Sequence, residues 1–219
     1  MKAAILKTFG SPLAIEAAPD PVLGTGEVII DVAATRVLSY ANEVFSGERK
    51  YLLELPVIPG PGGIGQVRPI GPDATHLKVG DWVYCDPTVR SRDDVLSPDI
   101  TLQAWSARDA GGLRLQRHFR HGSFAEQMMV PTENVKRLGL IDEADAAQWC
   151  ALGTLLVPYG GFLAANLQAG ETVLVSGATG RGGAGDGRGL RRSAGPQRER
   201  ARGLEAPFPR SRPHRKTQR

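Results

Sequence analysis

A glycine-rich stretch, VLVSGATGRGG at residues 173–183, has the residue types and spacing of a phosphate-binding loop. Its glycines follow a short apolar run at intervals of three, and glycine lets the backbone turn tightly and approach a pyrophosphate. The residues predicted to contact a dinucleotide cofactor are Gly177, Ala178, Thr179, Gly180 and Gly183. The same residues also fit a plain glycine turn that leads into a disordered tail.

The sequence after this loop departs from the pattern of a dinucleotide-binding unit. A helix should follow, but residues 184–200, AGDGRGLRRSAGPQRER, place Gly and Pro where apolar residues should recur at helical spacing. The acidic residue that would bind the adenosine ribose should stand about 20 residues beyond the glycines, at the end of a second strand, and no such strand is predicted. The sequence therefore does not choose between NAD and NADP.

The net charge of +4 is divided unevenly along the chain. Residues 181–219 hold twelve basic and three acidic side chains, a net charge of +9, which leaves −5 for residues 1–180. Few of the residues beyond 180 are apolar, so burial cannot offset the entropy lost on ordering them. We therefore predict a disordered basic C-terminal tail at residues 184–219.

Limited proteolysis tests this prediction. Trypsin cleaves after Arg and Lys in accessible, extended chain, so digestion should remove the segment beyond residue 184 quickly and leave a resistant core. Mass spectrometry of timed samples gives the two rates. Survival of the Arg-rich segment for as long as residues 1–140 would contradict the prediction.

The tail has two other interpretations. A basic arm could bind nucleic-acid phosphates in a salt-dependent manner, but Phe208 is its one Phe, Tyr or Trp residue, and stacking on bases needs interleaved aromatic side chains. We therefore do not expect nucleic acid as a partner. The abrupt enrichment in Arg, Gly, Pro, Ala and Ser, which begins inside the glycine motif, is typical of GC-rich coding DNA translated out of frame. That is a hypothesis about the gene.

Short apolar runs punctuated by Gly and Pro predict β-strands in the first 140 residues. The predicted strands are residues 1–7, 26–37, 64–70, 81–87 and 122–131. They favour a β-barrel or a sandwich, and the polar stretch 88–121 is interpreted as a loop or a lobe. From Asp142 onward, apolar residues at helical spacing predict one or two helices broken near Pro158 and Gly160, followed by a strand at 171–176.

The order of several segments resembles the medium-chain dehydrogenase/reductase family. The segments are MKAAILKTFG (1–10), the GEVIIDVAAT strand, VFSG (44–47), PVIPGPGGIGQVRPIG (56–71), HLKVGDWVY (76–84), GSFAEQMMVP (122–131) and GETVLVSGATG (170–180). Over residues 1 to about 180 the chain is similar to zinc-type alcohol dehydrogenases and, more closely, to their zinc-independent quinone oxidoreductase-like relatives.

The resemblance implies a domain organisation. A β-rich GroES-like barrel (α+β) would occupy residues 1–140. A junction helix with the first strand and glycine loop of an α/β Rossmann domain would occupy 141–183, a truncated Rossmann start, with the basic tail at 184–219. In the family, the active site lies in the cleft between these two domains.

The resemblance also gives the positions of catalytic zinc ligands, and none of the matching residues can donate to a metal. The first ligand position falls on Leu38, and the Gly-His-Glu triplet reads Gly60, Pro61 and Gly62. The third ligand position falls near Gly153, and Cys150 is about one helical turn away. Because a catalytic zinc ion needs three protein donors, the sequence predicts no zinc at this site.

A structural zinc ion is not expected either. Residues 86–121 contain no cysteine, so the structural-zinc lobe of zinc-dependent members is missing. The chain's other candidate ligands, His76, His118 and His121, are interpreted as surface or loop histidines.

Without zinc, hydrogen-bond donors must polarise a substrate carbonyl. Tyr40 stands where the family places a proton-relay hydroxyl, and its phenol could donate to an enone or quinone oxygen. A tyrosine packed at the edge of a barrel is the alternative. Trp149, Thr154 and Tyr159 could line the same cleft, although aromatic residues on a junction helix also suit a core.

The resemblance implies a zinc-independent oxidoreductase that uses NADP or NAD to reduce a small-molecule quinone, enone or carbonyl by hydride transfer, truncated and inactive as this chain. It allows a homodimer for the full-length family member. The rival interpretation is a non-catalytic GroES-like barrel that acts as a binding module with a basic arm. Without a signal-peptide-like start, an apolar run near the roughly 18 residues that span a bilayer, or enough cysteines for a disulfide framework, we expect a cytoplasmic protein without a membrane partner.

Overall fold

Ten strands, four α-helices and two short 3-10 helices lie in residues 1–173, the part of the chain described by the structure, which is a computed structural model. The strands are β1 (Lys2–Ile5), β2 (Ala14–Ala17), β3 (Glu27–Thr35), β4 (Gly63–Ile70), β5 (Trp82–Cys85), β6 (Thr88–Arg90), β7 (Ile100–Leu102), β8 (Ser106–Ala107), β9 (Gln127–Pro131) and β10 (Val135–Gly139). The helices are α1 (Ala41–Phe45), α2 (Ala110–His118), α3 (Ala146–Trp149) and α4 (Leu152–Ala164).

A five-stranded antiparallel sheet in the order β10-β5-β4-β3-β9 forms the centre of the fold. Val28 and Ile30 of β3 point into a core that they share with Val67, Val83 and Met128. Burying an apolar side chain of this size contributes about 1.5–3 kcal/mol. Strand β3 pairs with β9 from Glu27 to Asp31 and with β4 as far as Thr35, so β4 holds its last residues, and the candidate site lies at that end.

The stretch 88–121 is a folded lobe, which is the second of the two alternatives predicted from sequence. Strands β6, β7 and β8 form a three-stranded sheet, and α2 packs against it. Gln103 is fully buried, and its side-chain amide donates to the carbonyl oxygens of His121 and Met129 at 2.8 and 2.7 Å. Both donors of the Gln103 amide nitrogen are thus paired, although its buried Oε1 has no hydrogen-bond partner within residues 1–173. Hydrogen bonds of this kind let a polar residue occupy the interior of a segment that has no apolar pattern.

The helical region differs from the sequence prediction in where it breaks. Helix α4 runs through Pro158 and Gly160, and the interruption falls instead at Cys150 and Ala151, between α3 and α4. Proline removes one backbone donor from the helix, at a typical cost of about 3 kcal/mol, but the twelve other residues of α4 retain helical geometry around it.

Helix α4 exposes most of its apolar side chains. Val157, Leu163, Leu155 and Tyr159 are 74, 63, 61 and 56% exposed, and residues 146–170 contain no charged side chain. No helix in the described part of the chain has the length and apolar character needed to cross a membrane.

Part of the C-terminal prediction cannot be compared with the structure. Residues 171–173 have no regular secondary structure, and the remainder of the predicted strand 171–176 lies outside the described residues. So do the glycine loop and the predicted tail at 184–219.

Candidate functional site

The site is built around the C-terminal end of β3, where the loop at residues 60–62 is fastened. The Thr35 hydroxyl donates to the Gly62 carbonyl oxygen at 3.3 Å, and the Ser123 hydroxyl donates to the same oxygen at 2.6 Å. Gly62 has φ +74°, and an added Cβ would overlap the Cys85 carbonyl oxygen, so only glycine fits this close approach. The loop is therefore fixed against the strand that leads into the site.

The residues at the three predicted metal positions do not form a metal site. Leu38 packs in an apolar cluster around the fully buried Trp105, and Pro61 is buried in the fastened loop. Gly153, at the third position, lies in the first turn of α4 and presents no donor atom. Within residues 1–173, no group of three His, Cys, Asp or Glu side chains is arranged to hold a metal ion. These residues do not fit catalytic zinc.

A guanidinium group lies beside the third metal position. A Cβ added to Gly153 would stand only 2.8 Å from Arg36 Cζ and 3.0 Å from Arg36 Nε, so a larger residue at 153 would displace the arginine. Arg36 Nη1 donates to the Thr154 hydroxyl oxygen at 2.8 Å. Its Nε is buried and has no hydrogen-bond partner in the described chain.

The groups nearest to Arg36 leave its charge uncompensated. No ion pair within residues 1–173 includes Arg36. Burial raises the pKa of Tyr84 to about 12 and also raises the pKa of the Cys150 thiol, while Arg36 opposes both shifts. Both neighbours are consequently neutral at pH 7. The nearby carboxylate of Asp86, which acts on Tyr84, accepts the backbone N–H of Thr88.

Tyr40 occupies a different part of the site. It precedes α1, and its ring packs edge-on against Trp105 with centroids 6.1 Å apart, while Arg49 Cζ lies 4.4 Å from the ring centroid. Burial, and next the neighbouring Tyr51, raise the pKa of Tyr40. Within the described chain, no hydrogen bond, ion pair or ring contact joins Tyr40 to Arg36. The predicted phenol and the guanidinium thus have different partners within residues 1–173.

The other predicted site residues are dispersed. Thr154 contacts Arg36, whereas Trp149 and Tyr159 are 37 and 56% exposed, so neither aromatic residue belongs to a core. The cofactor-binding residues predicted from sequence lie outside the described part of the chain, and the structure does not test them. These are Gly177, Ala178, Thr179, Gly180 and Gly183.

The three histidines are also apart from one another. His76 is exposed, and His118 pairs with the buried carboxylate of Glu27. His121 accepts the backbone N–H of Ile58 at 3.4 Å, and burial lowers its pKa. None of them lies with the other two in a metal-binding group within residues 1–173.

Sequence reasoning missed Arg36 and Tyr84. One signal was available for the arginine, since Arg36 is the only charged residue between Asp31 and Glu43, in a run that ends a buried strand. No signal was available for Tyr84. It reaches Cys150 through packing between β5 and the α3–α4 region, which are far apart in sequence.

Comparison with known proteins identifies relatives of this chain. The family model for the alcohol dehydrogenase GroES-like domain matches residues 24–139. An alcohol dehydrogenase from Rhizobium meliloti (strain 1021) is 32% identical over 183 residues, covering 83% of this chain and 52% of the relative. An alcohol dehydrogenase from Moraxella sp. (strain TAE123) is 29% identical over 199 residues, with the same two coverages.

Solved structures show the same fold. The crystal structure of the alcohol dehydrogenase from the hyperthermophilic archaeon Aeropyrum pernix superposes with a TM-score of 0.58 at 21% identity. The match covers 70% of this chain and 44% of that protein. The chain spans about half the length of the curated relatives that match most of it.

Proposed function

The chain belongs to the medium-chain dehydrogenase/reductase family through its β-rich GroES-like domain, and on that premise we propose that it derives from a zinc-independent oxidoreductase. The proposed enzyme reduces a quinone, an enone or another carbonyl compound by hydride transfer from NADPH or NADH. The Rhizobium and Moraxella relatives are alcohol dehydrogenases, which supports oxidoreductase chemistry on a carbonyl or alcohol.

The position of Arg36 is the observation that carries the proposal of zinc independence. Its guanidinium lies within about 3 Å of where the third zinc ligand would begin, and Leu38 and Pro61 replace the other two donors. A fixed cation at that point repels a divalent metal ion. In place of a metal, the chain presents a permanent positive charge beside the substrate side of the cleft.

Elemental analysis tests this part of the proposal. After dialysis of the purified protein against a weak chelator, we expect far less than one zinc ion per chain, because the three ligand positions carry no donor atoms. A zinc-dependent alcohol dehydrogenase dialysed alongside serves as the control. A stoichiometry near one zinc per chain would overturn zinc independence.

The Tyr40 phenol is the proposed proton donor to the substrate oxygen. Burial raises its pKa, which keeps the phenol protonated near pH 7 but makes it a weaker acid. It therefore donates a hydrogen bond to the substrate oxygen and gives up the proton only when hydride transfer has made that oxygen a strong base. A bound nicotinamide would supply the hydride. The residues proposed to hold its pyrophosphate are those of the glycine loop, beyond the described part of the chain.

The exposed face of α4 supports the proposal that this chain lacks part of its enzyme. A helix with large apolar side chains more than half exposed, in a charge-free run of 25 residues, resembles a domain core that has lost its covering layer. The proposed missing part is the remainder of the cofactor-binding domain. This agrees with a chain that spans half of its curated relatives.

The alternative function is a non-catalytic binding module with a basic arm. The central sheet is formed by residues 27–139 and its apolar core lies within them, so this part of the fold does not require a second domain. Titration with a nicotinamide cofactor distinguishes the alternatives when a complete version of the enzyme is compared with this chain.

A further inference from the structure

We propose that Arg36 and Thr154 form a binding subsite for the carboxylate group of a substrate, so that the reduced compound is a carbonyl compound bearing a carboxylate. The inference rests on the proposed function for the reaction itself. The anion site, in contrast, is argued from the guanidinium and its surroundings alone.

The first step concerns the placement of the charge. Arg36 lies against Gly153 and Thr154, which belong to the first turn of the 13-residue helix α4. The N-terminal end of a helix carries partial positive charge, so it disfavours a cation and favours an anion. The guanidinium is thus held where helix α4 opposes it, and a bound anion would relieve this repulsion.

The second step concerns the positive charge of Arg36, which has no negatively charged partner within residues 1–173. The Nε edge of Arg36 has lost its water without gaining a hydrogen bond, and no carboxylate in residues 1–173 forms an ion pair with it. Tyr84 and Cys150 are kept neutral by burial, and the Asp86 carboxylate accepts the backbone N–H of Thr88. A partly desolvated cation without a partner is costly to the fold, and an external anion stabilises it.

The third step concerns the kind of anion. Nη1 donates to the Thr154 oxygen, which fixes the plane of the guanidinium and leaves the Thr154 hydroxyl hydrogen free to donate outward. The remaining N–H groups at the Nη end match the two oxygens of a carboxylate. A single guanidinium balances one negative charge, which favours a carboxylate over a phosphate dianion.

The fourth step concerns location. The Arg36 subsite lies at the end of β3, directly after the Thr35 hydroxyl that fastens the loop at residues 60–62. The family resemblance also places the third zinc-ligand position at Gly153, beside Arg36. A carboxylate bound by Arg36 would therefore hold a neighbouring carbonyl group close to that position.

The experiment uses pyruvate, which carries a carboxylate beside a carbonyl, as the probe on the full 219-residue chain without cofactor. Backbone amide shifts of Gly153 and Thr154 are followed by NMR during titration. We expect saturable shifts with pyruvate, and none with the neutral methyl pyruvate. Inorganic phosphate should bind more weakly than pyruvate.

Variants connect binding to the residues. Arg36→Gln should weaken pyruvate binding at least roughly tenfold and Thr154→Val roughly three- to tenfold, because each removes a hydrogen bond to a charged ligand. Arg36→Lys keeps the positive charge but loses the two parallel N–H donors of the guanidinium group, so it should recover part of the affinity. Arg90→Gln is the matched control, since the one hydrogen bond that the Arg90 side chain forms within residues 1–173 is to the Thr88 carbonyl oxygen of its own strand.

A stability measurement separates a ligand site from a structural anchor. If Arg36 serves the ligand, Arg36→Gln should leave the urea midpoint unchanged or raise it. A lowered midpoint, pyruvate binding that survives Arg36→Gln, or phosphate binding as tight as pyruvate would each overturn the subsite. Failure of the proposed reaction would appear elsewhere, in the zinc content or in cofactor titrations, because no step of this experiment requires hydride transfer.

Discussion

Titration of the 219-residue chain with NADPH should show no saturable binding at micromolar concentrations, and the chain should not reduce a 1,4-quinone. A pyrophosphate site needs a strand, a glycine turn and the N-terminus of the helix that follows. The sequence after Gly183 is rich in Gly and contains Pro196, and the chain covers only about half of its curated relatives. Misplacing a hydride donor by about 1 Å can cost on the order of a hundredfold in rate.

A paired measurement tests the hypothesis that the coding frame changes near residue 181. Restoring the alternative frame after Gly180 should give a protein that binds NADPH, followed by fluorescence, and turns over the quinone. We expect both signals from the restored protein alone. Micromolar NADPH binding together with quinone reduction by the 219-residue chain would contradict the truncation proposal and leave the family assignment intact.

Gly62→Ala should lower the free energy of unfolding by at least about 3 kcal/mol. Two effects add, since a positive φ costs an L-residue about 1–2 kcal/mol and overpacking a buried site costs typically about 1–3 kcal/mol. Gly62 has φ +74°, and the Cβ of an alanine at this position would overlap the Cys85 carbonyl oxygen and lie 2.9 Å from Pro87 Cδ. Urea denaturation followed by tryptophan fluorescence measures the change.

Gly80→Ala is the matched control for this substitution. Gly80 has a similar φ of +88°, but no atom lies within 4 Å of an added Cβ. It should therefore show the conformational cost alone, about 1–2 kcal/mol. Equal destabilisation by the two variants would show that the contact between the loop at residues 60–62 and Cys85 is looser than the structure has it.

The central sheet could be predicted from sequence because its signal is local. In β3, the run from Val28 to Ala34 is apolar except for Asp31 and is preceded by a glycine turn, and recognising it needs no knowledge of the partner strands. The strands and helix of the lobe at 88–121 could not be predicted in this way. Gln103 is held in the interior by hydrogen bonds to carbonyl oxygens of residues that lie 18 and 26 positions away in sequence. A local sequence pattern does not predict hydrogen-bond partners that are distant in sequence.

The candidate site was predictable only in part. Motif order located Leu38, Pro61 and Gly153 and indicated that metal donors are missing, but a missing donor does not reveal what replaces it. Arg36 reaches Thr154 across 118 positions of sequence, a contact that only the packing of α4 against the end of β3 creates. The break predicted at Pro158 failed for a related reason, since helix geometry around a proline depends on the rest of the helix.

The fit between Gly153 and Arg36 couples these two positions of the sequence. A cysteine at 153 would place its Cβ 2.8 Å from Arg36 Cζ, so the end of the flexible arginine side chain would have to move aside. That movement would disturb the hydrogen bond from Arg36 Nη1 to the Thr154 hydroxyl oxygen. The effect of a substitution at 153 therefore depends on which residue occupies position 36, which is epistasis between two positions that are distant in sequence.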